Sequence, residues 1–253
     1  MGVFCKTTAP ELIEVIGYAG FDFCILDMEH GPVNLETLQH LIRAAEVSGT
    51  LPIVRTRGGS PDTVARPLDL GAAGIQVPQM DSEAAAKAVV DACKFAPMGH
   101  RGVCRFVRAA QFSALDRAAY FEQANQSLVI LQLESTCLDE YEKIAEVPGV
   151  DILFIGPYDL SQALGVPGQI EDPRVLEKMR EINQRKAKML YDAVDQSAGF
   201  YQPHADPASR SIMNVTFRLA DEKLQDAFVK GAAERGLVEL KGHRSVGGFR
   251  ASI

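Results

Sequence analysis

The 253-residue chain is 47% hydrophobic and 23% charged, proportions that suit a folded globular protein and exclude extended disorder. Its net charge of -7 and lack of dense Lys/Arg runs argue against a nucleic-acid partner, because phosphate backbones are held mainly by clustered cations. No apolar run approaches the roughly 18 residues of a membrane helix, so no membrane partner is expected.

The N-terminal MGVFCKTTAPELIEV lacks the basic-then-apolar pattern of a signal peptide. Five scattered cysteines without CxxC spacing read as reduced thiols rather than a disulfide framework or a thiolate zinc site. A cytoplasmic location is therefore expected.

In chain order, GVFCKT predicts a short opening strand and PELIEVIGYAG a helix. FDFCILD is the second strand, and LETLQHLIRAAEVSG a helix closed by Gly. LPIVRT and AAGIQVPQM are the third and fourth strands, separated by a helix in SPDTVARPLDLG and followed by one in SEAAAKAVVDACKF. After a longer gap come LVILQLES, the helix CLDEYEKIAEVPG and the strand VDILFIGP. Alternating strands and helices imply a parallel sheet with right-handed crossovers.

These strands are apolar throughout, as expected where both faces are covered; a barrel and a doubly wound open sheet both satisfy that. Polar residues at nearly every strand's C-terminal end favour the barrel: Asp27, Glu29 and His30; Arg55; Gln76; Gln132 and Glu134; Asp159. In a barrel these ends meet around one pocket. Beyond residue 181 the texture changes. A helix over residues 174–197 leads to a turn-rich link in YQPHADPASR, a strand over 213–219, a helix over 222–235 and a strand over 237–241.

Glu134 and Asp159 each follow an apolar run and suit the oxygen-rich shell of Mg²⁺ or Mn²⁺, other divalent metals being open; Asp159 also suits a helix N-cap. Asp27 lies three residues before His30, where it could orient the imidazole as a general base; a structural histidine bonded to nearby backbone is the alternative. Arg55 suits an oxyanion or enolate, or a salt bridge to a neighbouring strand end. Gln132 could donate to a substrate carbonyl or merely fill space. Gly156, Pro157, Tyr158 and Asp159 offer backbone N–H groups at a helix start.

The ordered set ILDMEHGP, LPIVRT, LDLGAAGIQVPQM, PMGHRGVCR, LQLES and FIGPYDLSQALG resembles the HpcH/HpaI aldolases, metal-dependent class II pyruvate aldolases on a (β/α)₈ barrel. The resemblance implies metal ligands at Glu134 and Asp159, a general base at His30 with Asp27 as its orienting partner, and Arg55 at the keto oxygen. Gln132 and the Gly156-Pro157 backbone would line the pyruvate pocket, and Asp69 would serve a neighbouring subunit in a homo-oligomer. The implied reaction is divalent-metal-dependent cleavage of a small 4-hydroxy-2-keto acid into pyruvate, or a related 2-keto acid, and an aldehyde.

From about residue 181, AGFYQPHADPASRSIMNVTFRLAD and LVELKGHRSVGGFRASI resemble the C-terminal part of phosphoserine aminotransferase. That resemblance implies anion binding at His243, Arg244 and Arg250; no pyridoxal phosphate is expected, since that family's cofactor domain and Schiff-base lysine have no counterpart. The expected fold class is a TIM-barrel-like parallel (β/α) barrel with six units over residues 1–180. The segment 181–253 would be a graft that completes the barrel or caps it as a small appendage. The rival to a carbon-carbon lyase is a catalytically inactive chimera with residual metal or anion binding.

Overall fold

The computed structural model describes the chain except for residues 135–137, 234–236, 238–239, 243–246 and 253. Two compact units divide it, Met1–Gly168 and Gln169–Ile253.

In the first unit, strands β1 (Gly2–Cys5), β2 (Phe23–Asp27), β3 (Leu51–Arg55), β4 (Gly74–Met80), β5 (Leu128–Leu133) and β6 (Ile152–Ile155) form one parallel sheet in sequence order. The helices are α1 (Pro10–Tyr18), α2 (Leu35–Ser48), α3 (Pro61–Asp69), α4 (Glu83–Cys93), α5 (Arg117–Asn125), α6 (Leu138–Ala145) and α7 (Pro157–Ala163). Local chemistry sets their ends. Asn34 caps α2 by accepting the Thr37 N–H at 2.8 Å, and Gly49 ends it at φ 78°, a left-handed conformation that glycine adopts without a Cβ clash.

Strands β2 to β5 are buried almost throughout, which accounts for their unbroken apolar sequences. Register places Ile25, Ile53, Gly74 and Leu128 side by side. Two residues further along come Asp27, Arg55, Gln76 and Ile130. Because side chains alternate along a strand, both rows face the same way, an apolar layer beneath a largely polar one. Ile25, Ile53 and Ile130 pack with Phe23, Leu128 and Phe154. The Phe4 ring of β1 meets Phe154 of β6 edge-on at 5.9 Å, so the sheet curls until its first and last strands share interior contacts.

Among the described residues, β1 and β6 each pair with one strand, making a curled six-strand half-barrel. The C-terminal segment does not supply the strands of an eight-strand ring. Instead β7 (Tyr201–Pro203), β8 (Asn214–Leu219) and β9 (Phe249–Ser252) form their own antiparallel sheet in the order β7-β8-β9. The physical reason is connectivity: the link between β7 and β8 holds a single 3-10 turn, Pro207–Ser209, too little for a parallel crossover, and β8 pairs with a neighbour on each side.

This second unit also contains α8 (Pro173–Asp195) and α9 (Gln225–Ala233). Val175, Ile182, Ala187, Tyr191 and Val194 form the buried stripe of α8, while Tyr201, Phe217, Phe228 and Phe249 pack ring against ring. Strands β7 and β9 were not predicted from sequence. Of the strand expected over residues 237–241, residues 238–239 lie outside the described residues; at its end Lys241 forms an isolated antiparallel bridge with Phe249, and the Leu240 carbonyl accepts the Arg250 N–H at 2.7 Å. Among those described, no helix is long and apolar enough to cross a membrane.

Candidate active site

Two hydrogen-bonded groups of side chains occupy the C-terminal ends of the strands. The first is built on Asp27, which register places opposite Arg55. Arg55 Nε donates to Asp27 Oδ1 at 2.9 Å and Nη2 to Oδ2 at 2.6 Å, a bidentate pair with the Asp27 side chain fully buried. Asp27 Oδ1 also accepts the backbone N–H groups of Glu29 at 3.0 Å and His30 at 3.2 Å, so the carboxylate folds the turn that follows β2. Burial works against its charge, but the Arg55 guanidinium and those two N–H donors outweigh burial and hold the carboxyl below its ordinary range. Arg55 Nη1 approaches Glu29 Oε2 at 3.3 Å, and the guanidinium lies over the Phe4 ring.

The second group runs through two amides. Gln76 Nε2 donates to Gln132 Oε1 at 2.7 Å; Gln132 Nε2 donates to Glu134 Oε1 at 2.5 Å and Asp159 Oδ2 at 3.2 Å. Gln79, at φ 59° within the β4 bulge, turns its backbone N–H toward Glu134. Asp159 lies inside α7, whose N-cap is Gly156 with Pro157 next, so it is not the cap. A Cβ on Gly156 would stand 2.8 Å from Asp159 Oδ2, so a side chain there would push the Asp159 carboxylate from its place.

Burial, then the nearby Asp159 and Glu29 charges, push the Glu134 carboxyl up to about 7. Burial also raises Glu29, with Arg55 and His30 offsetting part of it. Glu29 Oε2 is buried without a hydrogen bond. Crowded carboxylates, one of them pushed toward protonation by burial and then by its neighbours' charges, are the donor chemistry that a hard divalent cation satisfies. Among the described residues, no three His, Cys, Asp or Glu side chains gather as ligands. Glu134 and Asp159 are the two that would hold such an ion, and two carboxylates suit Mg²⁺ or Mn²⁺, which keep water ligands. A cavity of about 320 Å³ borders them, lined also by Gln79, Asp81 and Gln162.

The expected residues are thus brought together unevenly. Asp27, Arg55, Gln132, Gly156, Pro157, Glu134 and Asp159 share this end of the sheet. His30 stands at the rim with its ring exposed, and its Nε2 lies 3.9 Å from Glu29 Oε1. The expected contact of Asp27 with the His30 imidazole is not made: both Asp27 oxygens are engaged by Arg55, and Asp27 reaches His30 through its backbone N–H. The salt-bridge alternative for Arg55 is the one realised.

Asp69 is not in this chain's site. It ends α3, at the opposite end of the strands, where Arg101 Nη2 donates to it at 2.6 Å. His243 and Arg244 lie outside the described residues. Arg250 is exposed on β9, opposite Thr216 in the antiparallel sheet. Glu29 and Gln76 carry no assigned role in the sequence beyond being polar groups at strand ends; register sets Gln76 beside Arg55.

A curled parallel β/α sheet with its polar side chains gathered at the C-terminal ends of the strands is the arrangement of the (β/α)-barrel fold class. The sequence pattern of the HpcH/HpaI aldolase/citrate lyase family matches residues 1–206, and the chain belongs to that family. The match continues past residue 180, where the likeness was expected to stop.

The chain is 40% identical over 177 residues to the 2-dehydro-3,6-dideoxy-6-sulfogluconate aldolase of Pseudomonas putida, covering 69% of each. It is 33% identical over 215 residues to the 2-keto-3-deoxy-L-rhamnonate aldolase of Escherichia coli strain K12, covering 84% of this chain and 78% of that one. A solved HpcH/HpaI family structure from Burkholderia cenocepacia superposes with a TM-score of 0.69 at 34% identity, over 74% of this chain and 75% of that one. A phosphoserine aminotransferase structure reaches a TM-score of 0.31, which carries no argument about the C-terminal part.

Proposed function

We propose that the protein is a divalent-metal-dependent aldolase that cleaves 4-hydroxy-2-keto acids into pyruvate, or a related 2-keto acid, and an aldehyde. The observation that carries the reading is the pair Glu134 and Asp159, joined through one Gln132 amide and set beside the Asp27–Arg55 pair. Glu134 and Asp159 would hold the cation, which when bound would supply positive charge to polarise the keto acid's carbonyl.

The remaining chemistry belongs to the side chains. Gln132 and the Gly156-Pro157 backbone shape the pocket for the keto-acid half. Arg55, fixed in direction by Asp27, faces the keto oxygen where negative charge gathers as the C3–C4 bond breaks. His30, directly or through water, takes the C4 hydroxyl proton as the aldehyde forms; a proton returned to C3 yields pyruvate. Asp69 serves the site of a neighbouring copy in a homo-oligomer.

Glu134→Gln removes a ligand charge while keeping the side chain's shape. Pyruvate release that depends on Mg²⁺ or Mn²⁺ in the native chain should vanish in this variant. Release unaffected by the substitution or by chelator would reject the reading. A second reading, a recombined chain of weak or silent activity, is favoured by the separate antiparallel sheet after β6. In it the C-terminal segment derives from an aminotransferase, and His243, Arg244 and Arg250 retain anion binding. Phosphate binding weakened in Arg250→Ala, with no metal-dependent pyruvate release in the native chain, would select it.

A further inference from the structure

We infer that Gln76 is a positioning residue for the candidate metal site: it anchors the carbonyl end of Gln132, so that the Gln132 amide holds Glu134 and Asp159 in place for a divalent cation. The inference rests on the metal-dependent reading of the site and deepens it.

Gln76 and Gln132 are both buried, at 0% and 1% exposure, so neither amide can exchange its partners for bulk water. Register pairs Gln76 with Ile130, two residues before Gln132 on β5, so the two glutamines lie on one face in successive layers. Beside Gln132 the neighbouring strands offer little to hold its carbonyl end. Phe154 of β6 pairs with it and has no side-chain donor. On β4 the register breaks between Val77 and Met80, where Pro78 lacks an N–H and the Gln79 backbone N–H turns toward Glu134. The donor to Gln132 Oε1 comes instead from the layer beneath, from Gln76 Nε2 at 2.7 Å.

The direction of both amides follows from their partners. Ionised carboxylates only accept, so the NH₂ end of Gln132 faces Glu134 Oε1 at 2.5 Å and Asp159 Oδ2 at 3.2 Å. Its oxygen then points at Gln76, which must present its own NH₂. Gln76 Oε1 is left buried without a partner among the described residues. Turning the Gln76 amide to satisfy that oxygen would set it against Gln132 Oε1, so the unpaired acceptor persists because the donor end is committed. Unpaired buried polar atoms are uncommon, and this one lies one hydrogen bond away from the amide that bridges both carboxylates. Without the Gln76 donor, Gln132 Oε1 would be stranded in the interior, and the amide could regain a partner only by leaving Glu134 and Asp159.

Gln76→Met tests the assignment, because Met keeps the length of the side chain and removes the amide. The readout is Mn²⁺ binding by calorimetry at one fixed pH. The Kd should rise about 10-fold, the lower end of what outer partners of metal ligands contribute. A residue that acts through Gln132 has nothing left to do once Gln132 is gone. Gln132→Met alone should therefore weaken binding, and adding Gln76→Met to it should change Kd by less than about twofold. Asn34→Ala, which removes a helix cap, should leave the affinity unaltered and so separates lost stability from lost positioning.

A Kd within about twofold of the native value in Gln76→Met overturns the inference. So does an equal loss on adding Gln76→Met to the native and Gln132→Met chains, the mark of a residue that only fills the core, or an equal loss in Asn34→Ala. Should Gln76→Met fail to fold, the comparison of Gln132→Met with the double variant, which leaves neither amide unpaired, decides by the same criterion. Native chain that binds no Mn²⁺, or binding that survives Glu134→Gln, removes the metal reading and the inference with it. Binding lost in Glu134→Gln but kept in Gln76→Met removes the inference alone.

Discussion

Replacing Asp27 by Asn tests the pair that anchors the candidate site. The native carboxylate accepts bonds of 2.9 and 2.6 Å from Arg55 and of 3.0 and 3.2 Å from two backbone N–H groups, with its side chain wholly buried. Asn keeps an oxygen for the backbone donors but turns an NH₂ toward the guanidinium. Breaking one side of a buried pair costs about 3–5 kcal/mol. Because Glu29 stays 3.3 Å from Arg55 Nη1 and the turn retains its acceptor, the lower end, about 3 kcal/mol, is expected. Urea unfolding followed by circular dichroism measures it.

The difference should also depend on pH. Asp27 is held below its ordinary range in the folded chain, so its contribution is complete above the unfolded carboxyl value of about 3.9. It is lost as pH falls through the lower folded value. Arg55, released from its direction, should cost about 100-fold in kcat/KM for pyruvate release. A loss of stability below about 1 kcal/mol, or one that does not shrink on acidification, would refute the assignment of Asp27 as the buried partner of Arg55.

Mn²⁺ must displace the proton that the raised Glu134 carboxyl retains below about 7, so calorimetry should find affinity falling about 10-fold per pH unit beneath that value. Without a cation, the same raised carboxyl makes stability decline as pH rises from about 4.5 through about 7; added Mn²⁺ should reverse the decline, which thermal melts at pH 5.5 and 8 will show. Gly156→Ala places a methyl 2.8 Å from Asp159 Oδ2 and should weaken Mn²⁺ binding about 10-fold, with urea unfolding nearly unchanged because φ there is an ordinary -91°. Asn34→Ala removes the α2 cap and should cost about 1 kcal/mol in the same unfolding assay.

All six parallel strands were legible as apolar runs; for β2 to β5 the cause is burial on both faces, which the half-buried edge strands β1 and β6 lack. The carboxylates, arginine and glutamines at the strand ends were legible as residue types interrupting the apolar runs; Asp27, Arg55, Gln76 and Gln132 are buried there, and hydrogen bonds to one another replace those to water. Short β7, three residues inside a turn-rich link, carried no such signal, and β9 fell within a run of glycines and polar residues.

By itself, then, the chain's pattern determined a parallel β/α sheet, the edge on which polar chemistry gathers, and the residue types available there. Tertiary structure decided the partnerships. Asp27 holds Arg55 rather than the His30 ring, Glu29 joins the cluster, Gln76 aims the Gln132 amide between two carboxylates, and the last three strands pair among themselves. Local pattern cannot encode these choices, because each depends on register and curvature that bring groups tens of residues apart to within about 3 Å, where a shift of one strand position would exchange every partner.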